Sequence, residues 1–191
     1  MPFLTHPYKF LFSAYTVAEV IILKRLKAYT SAGMVFVLLL GTLSHFFYEW
    51  SGSNFIIGLF TPVNESTWEH MKLLFFPALL CSLIMIPLLK EEWPCITSSL
   101  FSGILLGTAL IPVVFYTYTG ILGYHTLPMD IAVFIFCVIL TFSSSIRLTL
   151  SCRVQDYTLL LFTAVCLFII CFMVFTCFPP DIGLFEVKGT G

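Results

Sequence analysis

Charged residues are scarce in this chain: Lys, Arg, Asp and Glu together make up 10% of its 191 residues. Soluble domains carry roughly a quarter charged residues, so a water-soluble globule is excluded. Disorder is excluded too, because 59% of the residues are hydrophobic and net charge is only −1. Nine Lys and Arg against ten Asp and Glu leave no basic excess for binding nucleic acid. The chain is instead apolar, with a mean hydropathy of +1.02, which indicates an integral membrane protein.

Five apolar runs are long enough to cross a membrane, which takes roughly 20 residues as a helix. They cover residues 31–50, 71–89, 96–118, 129–150 and 157–178. These runs lack the strict alternation over about ten residues that is typical of a membrane β-strand. The sequence therefore predicts an all-α fold, a polytopic membrane bundle of about five transmembrane helices, with residues 31–185 forming one transmembrane domain.

The first 30 residues do not fit the pattern of a span. Residues 10–23 are apolar, but the run is short, contains Glu19 and is followed by a basic cluster. We expect residues 1–30 to form an N-terminal interfacial segment with a short helix, and a sixth span is the alternative. Residues 186–191 are predicted to be a C-terminal tail.

Basic residues predict the orientation, because Lys and Arg concentrate in cytoplasmic loops. With the N-terminus inside, six basic residues fall on the cytoplasmic side: Lys24, Arg25, Lys27, Lys90, Arg147 and Arg153. The prediction is N-in and C-out.

Seven cysteines are present, most of them within apolar spans and none in a CxxC pair. Cysteine in such positions behaves as a small hydrophobe. We therefore expect them to serve in packing, with neither a disulfide framework nor a zinc finger.

Ionisable residues gather at the predicted non-cytoplasmic ends of the spans. His45 and Glu49 are four residues apart and so share a helix face, with His45 about one and a half turns inside the end of its span. Burying an ionisable group in a membrane is costly and normally marks a functional site. A structural histidine bonded to a backbone carbonyl is the alternative.

The segment Asn64–His70 is the densest polar run in the chain. Ser66 and Glu69 have capping-box spacing, so part of the run is explained as the start of a helix. Capping does not explain why two histidines and three carboxylates lie on adjacent helix ends, namely Glu65, Glu69 and His70 with His45 and Glu49 across a short connection. Such nitrogen and oxygen ligands suit zinc, iron or manganese, and the predicted metal ligands are His45, Glu49, Glu69 and His70. A metal-free acid–base or ligand site, and simple interfacial anchoring, are the alternatives, since the Glu-x-x-His spacing of di-iron bundles is absent.

Other groups on the same face complete the predicted site. Glu65 and Asp130 are the candidate catalytic bases. Four further residues are candidates for ligand binding: Asn64, Trp68, Tyr116 and Tyr118. The apolar stretch 53–60 is too short to cross and is predicted to lie in the interface or re-enter, as a lid over the polar cluster. Gly103 and Gly107 form a GxxxG pair that favours close helix packing within the bundle.

Several of these blocks resemble a known family. GTLSHFFYEWSGSNFIIGLFTPVNESTWEHMKLLFFPALL (residues 41–80), IPVVFYTYTGILG (residues 111–123) and a closing PPDIGLF look like a family of small bacterial integral-membrane proteins catalogued as a domain of unknown function. The likeness covers most of residues 31–185; the first 30 residues look like an addition, and the tail departs from the family pattern. The resemblance implies a helical bundle in a bacterial cytoplasmic membrane, and it supplies no activity.

These features favour a membrane enzyme, a metal-assisted hydrolase or transferase acting on a lipid or lipid-linked substrate at the outer leaflet. The alternatives are a protein that binds or transports an ion or small solute, and an accessory membrane subunit. The lipid bilayer is the expected partner and a divalent metal the expected cofactor.

Overall fold

The computed structural model describes the backbone of residues 7–187 and the side chains of residues 19–187. Within that range the secondary structure is helical apart from one isolated bridge, and the predicted all-α fold is confirmed. The helices are α1 (Pro7–Trp50), α2 (Phe55–Phe60), α3 (Thr67–Leu89), α4 (Ile96–Leu122), α5 (Leu127–Ser151) and α6 (Thr158–Cys177), with a 3-10 turn at Gln155–Tyr157 before α6.

Five of these helices are long and apolar enough to cross a membrane, as predicted. The candidate spans are Glu19–Trp50, Thr67–Leu89, Ile96–Leu122, Leu127–Ser151 and Gln155–Cys177. Each matches one predicted apolar run; the first begins 12 residues earlier than its run, and the bounds of the other four differ from the predicted ones by at most four residues. These five helices indicate a multi-pass membrane protein.

The described part of the N-terminal segment is helical and is continuous with the first span. The backbone from Pro7 onward continues into the first span as one 44-residue helix. No Gly or Pro interrupts the sequence between Pro7 and Gly33, and without such a breaker the helix propagates. Residues 1–6, part of that predicted segment, lie outside the described residues, as do 188–191 of the predicted tail.

Glycines bring the helices into close contact. A Cβ on Gly103 would lie 2.1 Å from Ser145 Oγ, and one on Gly107 would lie 1.8 Å from Thr141 Oγ1. The GxxxG pair of α4 therefore packs against α5 within the bundle, as expected. On α1, a Cβ on Gly41 would lie 2.5 Å from the carbonyl oxygen of Leu73, so α1 lies directly against α3.

The end of the chain folds back over the start of α3. The backbone N–H of Trp68 donates to the carbonyl of Leu184 at 3.1 Å, and Ser66 pairs with Val187 in an isolated antiparallel bridge. The segment after α6 thus satisfies a backbone donor at the N-terminus of α3, where helices leave N–H groups unpaired.

One cysteine expectation is wrong. Cys95, in the turn between α3 and α4, forms a disulfide with Cys152 at the end of α5. The two residues are 57 apart in sequence, and only helix packing brings the two turns together. The other cysteines are free, as expected: Cys81, Cys137, Cys166, Cys171 and Cys177.

Candidate functional site

The last turns of α1 place His45 at the centre of a polar cluster. Close packing at Gly41 holds this part of α1 against α3. The His45 side chain is 32% exposed, and its Nε2 lies 3.7 Å from Oε2 of Glu65. His45 is therefore half-buried at the bundle end, within reach of a carboxylate from the next connection.

His70 lies one turn into α3 and faces the same carboxylate. Ser66 caps α3 by accepting a hydrogen bond from the N–H of Glu69. The Ser66 carbonyl lies 2.8 Å from Nδ1 of His70, and because a carbonyl only accepts, Nδ1 carries the proton. His70 Nε2 lies 3.3 Å from Glu65 Oε2. Metal-binding histidines are usually oriented by such an N–H bond to a carbonyl, which leaves the other nitrogen for the metal.

The ligand atoms of His45, Glu65 and His70 all lie within 4.8 Å of one another. The two imidazole rings are 5.3 Å apart between centroids and tilted by 55°. Tetrahedral zinc with bonds near 2.0–2.1 Å separates neighbouring ligand atoms by roughly 3.3 Å. The two distances to Glu65, 3.3 Å and 3.7 Å, are close to that value, so small side-chain shifts would close the cluster around one ion.

The electrostatics of the cluster favour an ionised carboxylate. When the two imidazoles are protonated, the hydrogen bond from His70 lowers the pKa of Glu65, and the charges of His70 and His45 act in the same direction, while partial burial opposes them. A bound cation would displace the protons from the histidine nitrogens that face Glu65 and would supply positive charge in their place. An ionised carboxylate is the form that binds a cation.

A cavity of about 480 Å³ lies beside the cluster, between α1, α3, α4 and α5. This volume is within the range of small-molecule sites, roughly 300–1,000 Å³. Its polar lining is His45, Glu65, Thr67, His70, His125, Thr126 and Asp130, and its apolar lining is Leu73, Ile111, Phe115, Leu127, Val133 and Phe134.

A second polar group lines the same cavity. Asp130, in the first turn of α5, accepts a hydrogen bond from the Tyr118 hydroxyl and lies 3.2 Å from Nδ1 of His125. The carboxylate therefore bridges α4 and the loop before α5. An Asp on one imidazole nitrogen orients the ring and leaves the other nitrogen for proton transfer.

The remaining predicted site residues lie elsewhere. Glu49 is exposed, one turn beyond His45, and does not line the cavity. Asn64 is exposed and accepts from the N–H of Ser66 at 2.9 Å. Trp68 is buried against three Phe rings, and the Tyr116 hydroxyl donates to the carbonyl of Gly183 at 2.7 Å.

Glu69 joins a different cluster, which is buried under α2. Its Oε2 accepts from Nζ of Lys72 at 2.6 Å and from the N–H of Val63 at 3.0 Å. Lys72 also donates to the carbonyl of Gly58 at 3.0 Å and to the Thr176 hydroxyl at 2.6 Å. The stretch predicted as a lid forms α2, and its carbonyl at Gly58 lies over this ion pair.

Two residues of these polar clusters, His125 and Lys72, were not among the predicted site residues. His125 lies in the loop between α4 and α5 and has no fixed helical spacing to a partner. Lys72 is the single Lys or Arg between Glu69 and Pro87 of α3, and an isolated charge inside a span is itself a signal of a buried pair.

The model of a family of unknown function, DUF6512, matches residues 19–191 of this chain. The match confirms the resemblance seen in the sequence. It also includes residues 19–30 and the tail, which the resemblance had set apart. Neither curated proteins nor solved structures give a significant match.

Proposed function

The chain belongs to DUF6512, a family of unknown function, and from its site geometry we propose a divalent-metal-dependent membrane hydrolase or transferase acting on a lipid or lipid-linked substrate. The observation that carries this proposal is the convergence of His45, Glu65 and His70 at the wall of a cavity.

Two histidines and one glutamate form a ligand set that catalytic zinc sites use, with a fourth position left for water or substrate. His70 supports this assignment most directly, because its Nδ1–H is committed to the carbonyl of Ser66. A divalent cation held by these three residues would act as a Lewis acid and lower the pKa of a bound water to about 7.

Acid–base chemistry is assigned to the second polar group. His125 donates its Nδ1–H to Asp130, which the Tyr118 hydroxyl holds from the other side. His125 Nε2 is then available to take a proton from a nucleophile and return it to the leaving group. In this assignment Asp130 orients the base, and Glu65 serves as a metal ligand.

The cavity has a polar part and an apolar part, as expected for the binding site of an amphipathic substrate. Its ionisable residues come from the ends of helices and from loops, whereas Leu73, Ile111 and Val133 line it deeper along α3, α4 and α5. A lipid headgroup fits the polar part and the start of an acyl chain fits the apolar part. We place the site on the non-cytoplasmic side of a bacterial cytoplasmic membrane, as the distribution of Lys and Arg supports.

Metal analysis of the full chain in nanodiscs tests the proposal. After incubation with zinc, manganese or ferrous iron and removal of excess metal, we expect close to one bound ion per chain. We expect His45→Ala, His70→Ala and Glu65→Gln each to lower metal affinity by at least tenfold. Glu49→Gln is the matched control, because this carboxylate lies one turn from His45 and outside the cavity.

The same preparations test turnover with fluorogenic lipid esters and phospholipids. His125→Ala should retain the metal and lose about 100-fold or more in rate. A protein that binds none of the three metals, or an E49Q variant that loses metal as fully as H45A, would contradict the proposed centre. Metal binding without turnover of these lipids would instead favour an ion-binding role.

A further inference from the structure

The Cys95–Cys152 bond lies at the end of the bundle away from the cavity, where α3 turns into α4 and α5 turns toward α6. Cys95 is the residue before α4, and Cys152 is the residue after α5. Their Cα atoms are 5.4 Å apart, within the usual range for disulfides. The two residues differ in exposure, because Cys95 is 2% exposed whereas Cys152 is exposed.

Positive charge is concentrated at this end. Of the seven Lys and Arg whose side chains are described, six lie here, namely Lys24, Arg25, Lys27, Lys90, Arg147 and Arg153. The seventh, Lys72, is fully buried in its ion pair. Clustering of this kind marks the cytoplasmic side. The cytosol keeps thiols reduced, and disulfides found there are usually transient and redox-active.

The backbone conformation at Cys152 is one that cysteine rarely adopts. Its φ is +51°, in the left-handed region, where it caps the C-terminus of α5. Glycine, or sometimes asparagine, is favoured at such a cap because a Cβ is disfavoured there. Cysteine at this position is therefore best explained by the bond that its sulfur forms with Cys95.

We propose that Cys95 and Cys152 form a thiol–disulfide exchange site, oxidised by a low-molecular-weight disulfide and reduced by a thiol. In the oxidation, the Cys152 thiolate attacks one sulfur of the reagent, and the bond between the two reagent sulfurs breaks to release one thiolate. The Cys95 thiolate then attacks the Cys152 sulfur and releases the second. Two protein thiols lose two electrons and two protons, and the reagent becomes two thiols.

The exchange changes how the bundle is held together. When oxidised, the bond links the α3–α4 turn to the α5–α6 turn. When reduced, the two turns depend on non-covalent packing alone. The proposal uses no group of the metal centre and shares only the membrane orientation with the proposed function, so a failure of the metal centre would leave it standing.

Differential alkylation of the full chain in its membrane tests the proposal. Free thiols are blocked in acid-quenched cells, the remaining disulfides are reduced and labelled, and each cysteine peptide is quantified by mass spectrometry. We expect mainly free thiols at Cys95 and Cys152 in untreated cells. In isolated membranes we expect a mainly disulfide-bonded pair after oxidised glutathione and free thiols again after reduced glutathione. Cys81 and Cys137, buried within spans, should remain thiols throughout.

Single substitutions separate the two sulfurs. With oxidised glutathione, Cys95→Ser should accumulate a mixed disulfide on the exposed Cys152, whereas Cys152→Ser should leave Cys95 unmodified. A pair that is fully disulfide-bonded in untreated cells would overturn the proposal, as would a pair that stays reduced with oxidised glutathione. Both of these outcomes are read from the wild-type chain, so the test does not depend on the folding of a variant.

Discussion

Lys72 is a charged residue whose side chain is fully buried, which is costly in free energy. Its ammonium group is fully buried in a membrane span, and the Glu69 side chain that neutralises it is 3% exposed. Burial of an unpaired charge costs several kcal/mol, so both partners must be present together. The surrounding carbonyls of Gly58 and Thr61 and the hydroxyl of Thr176 complete the coordination of the ammonium group. Lys72 therefore ties α2, α3 and α6 together.

Removing one partner of this pair should be strongly destabilising. We expect Lys72→Met to lower the free energy of unfolding by about 3 kcal/mol or more, because it leaves the Glu69 carboxylate buried without a counter-charge. Denaturant unfolding in detergent measures this change. Lys72→Met combined with Glu69→Leu should cost less than Lys72→Met alone. Lys90→Met, at an exposed lysine, should change stability by no more than about 0.5 kcal/mol. A Lys72→Met variant as stable as wild type would contradict this account of the pair.

The assembly of the site also depends on individual residues. Glu65, not a helical neighbour of either histidine, supplies the carboxylate between them. Glu49 shares a face with His45 in the helix, yet it lies a turn further out and is exposed. Spacing along one helix pairs His45 with Glu49, whereas the carboxylate that the structure brings to His45 is Glu65, because it comes from a connecting loop.

Among the helices, α4 and α5 lie in close contact. This contact depends on two glycines whose missing side chains make room for Thr141 and Ser145. The hydroxyls of these residues donate to carbonyls on their own helix, Thr141 to Cys137 and Ser145 to Thr141, so small polar side chains are accommodated without unpaired groups. Association of membrane helices relies on this kind of close packing, since lipid provides no hydrophobic drive between them.

Adding a side chain at a glycine of α4 that contacts α5 should force the two helices apart. We expect Gly107→Ala to lower the free energy of unfolding by about 1–3 kcal/mol, because the new methyl group would overlap Thr141 Oγ1. Gly120→Ala is the matched control on the same helix, since a Cβ there meets open space. It should leave stability unchanged or slightly raised, as Ala is the better helix former. Equal effects at the two positions would argue against the close-packing explanation.

At the scale of the whole molecule, the two ends of the bundle are chemically different. The site end carries six of the ten described carboxylates: Glu49, Glu65, Asp130, Asp181, Glu186 and the buried Glu69. The other four lie toward the opposite end: Glu19, Glu91, Glu92 and Asp156. The opposite end carries six Lys and Arg and the disulfide. Such an asymmetry orients a protein in a membrane, because basic loops are retained in the cytoplasm.

This asymmetry predicts which end is accessible from outside the cell. We expect Asp181→Cys, at an exposed position of the site end, to react with a membrane-impermeant maleimide in intact spheroplasts. Lys90→Cys, equally exposed at the other end, should react only after lysis. Labelling is quantified on the individual peptides, with the wild-type chain as background. The reverse pattern would place the site in the cytosol and contradict the proposed orientation.

Composition and hydropathy alone determined the class of fold, because every span must satisfy its backbone hydrogen bonds internally and must be apolar over its whole length. The positions of the five spans and the concentration of ionisable residues near 45 and 64–70 follow from the same constraint. The GxxxG contact was visible for a related reason, since a fixed spacing on one helix defines a face.

Only the tertiary structure decided which of these groups meet. Helix packing and loop paths bring Glu65 between His45 and His70, direct Glu69 to Lys72, and place His125 beside Asp130. Packing likewise joins Cys95 to Cys152 across 57 residues of sequence. The periodicity of the sequence predicts which face of its own helix a residue occupies. A site built from several helices and loops depends in addition on how those elements are arranged in space.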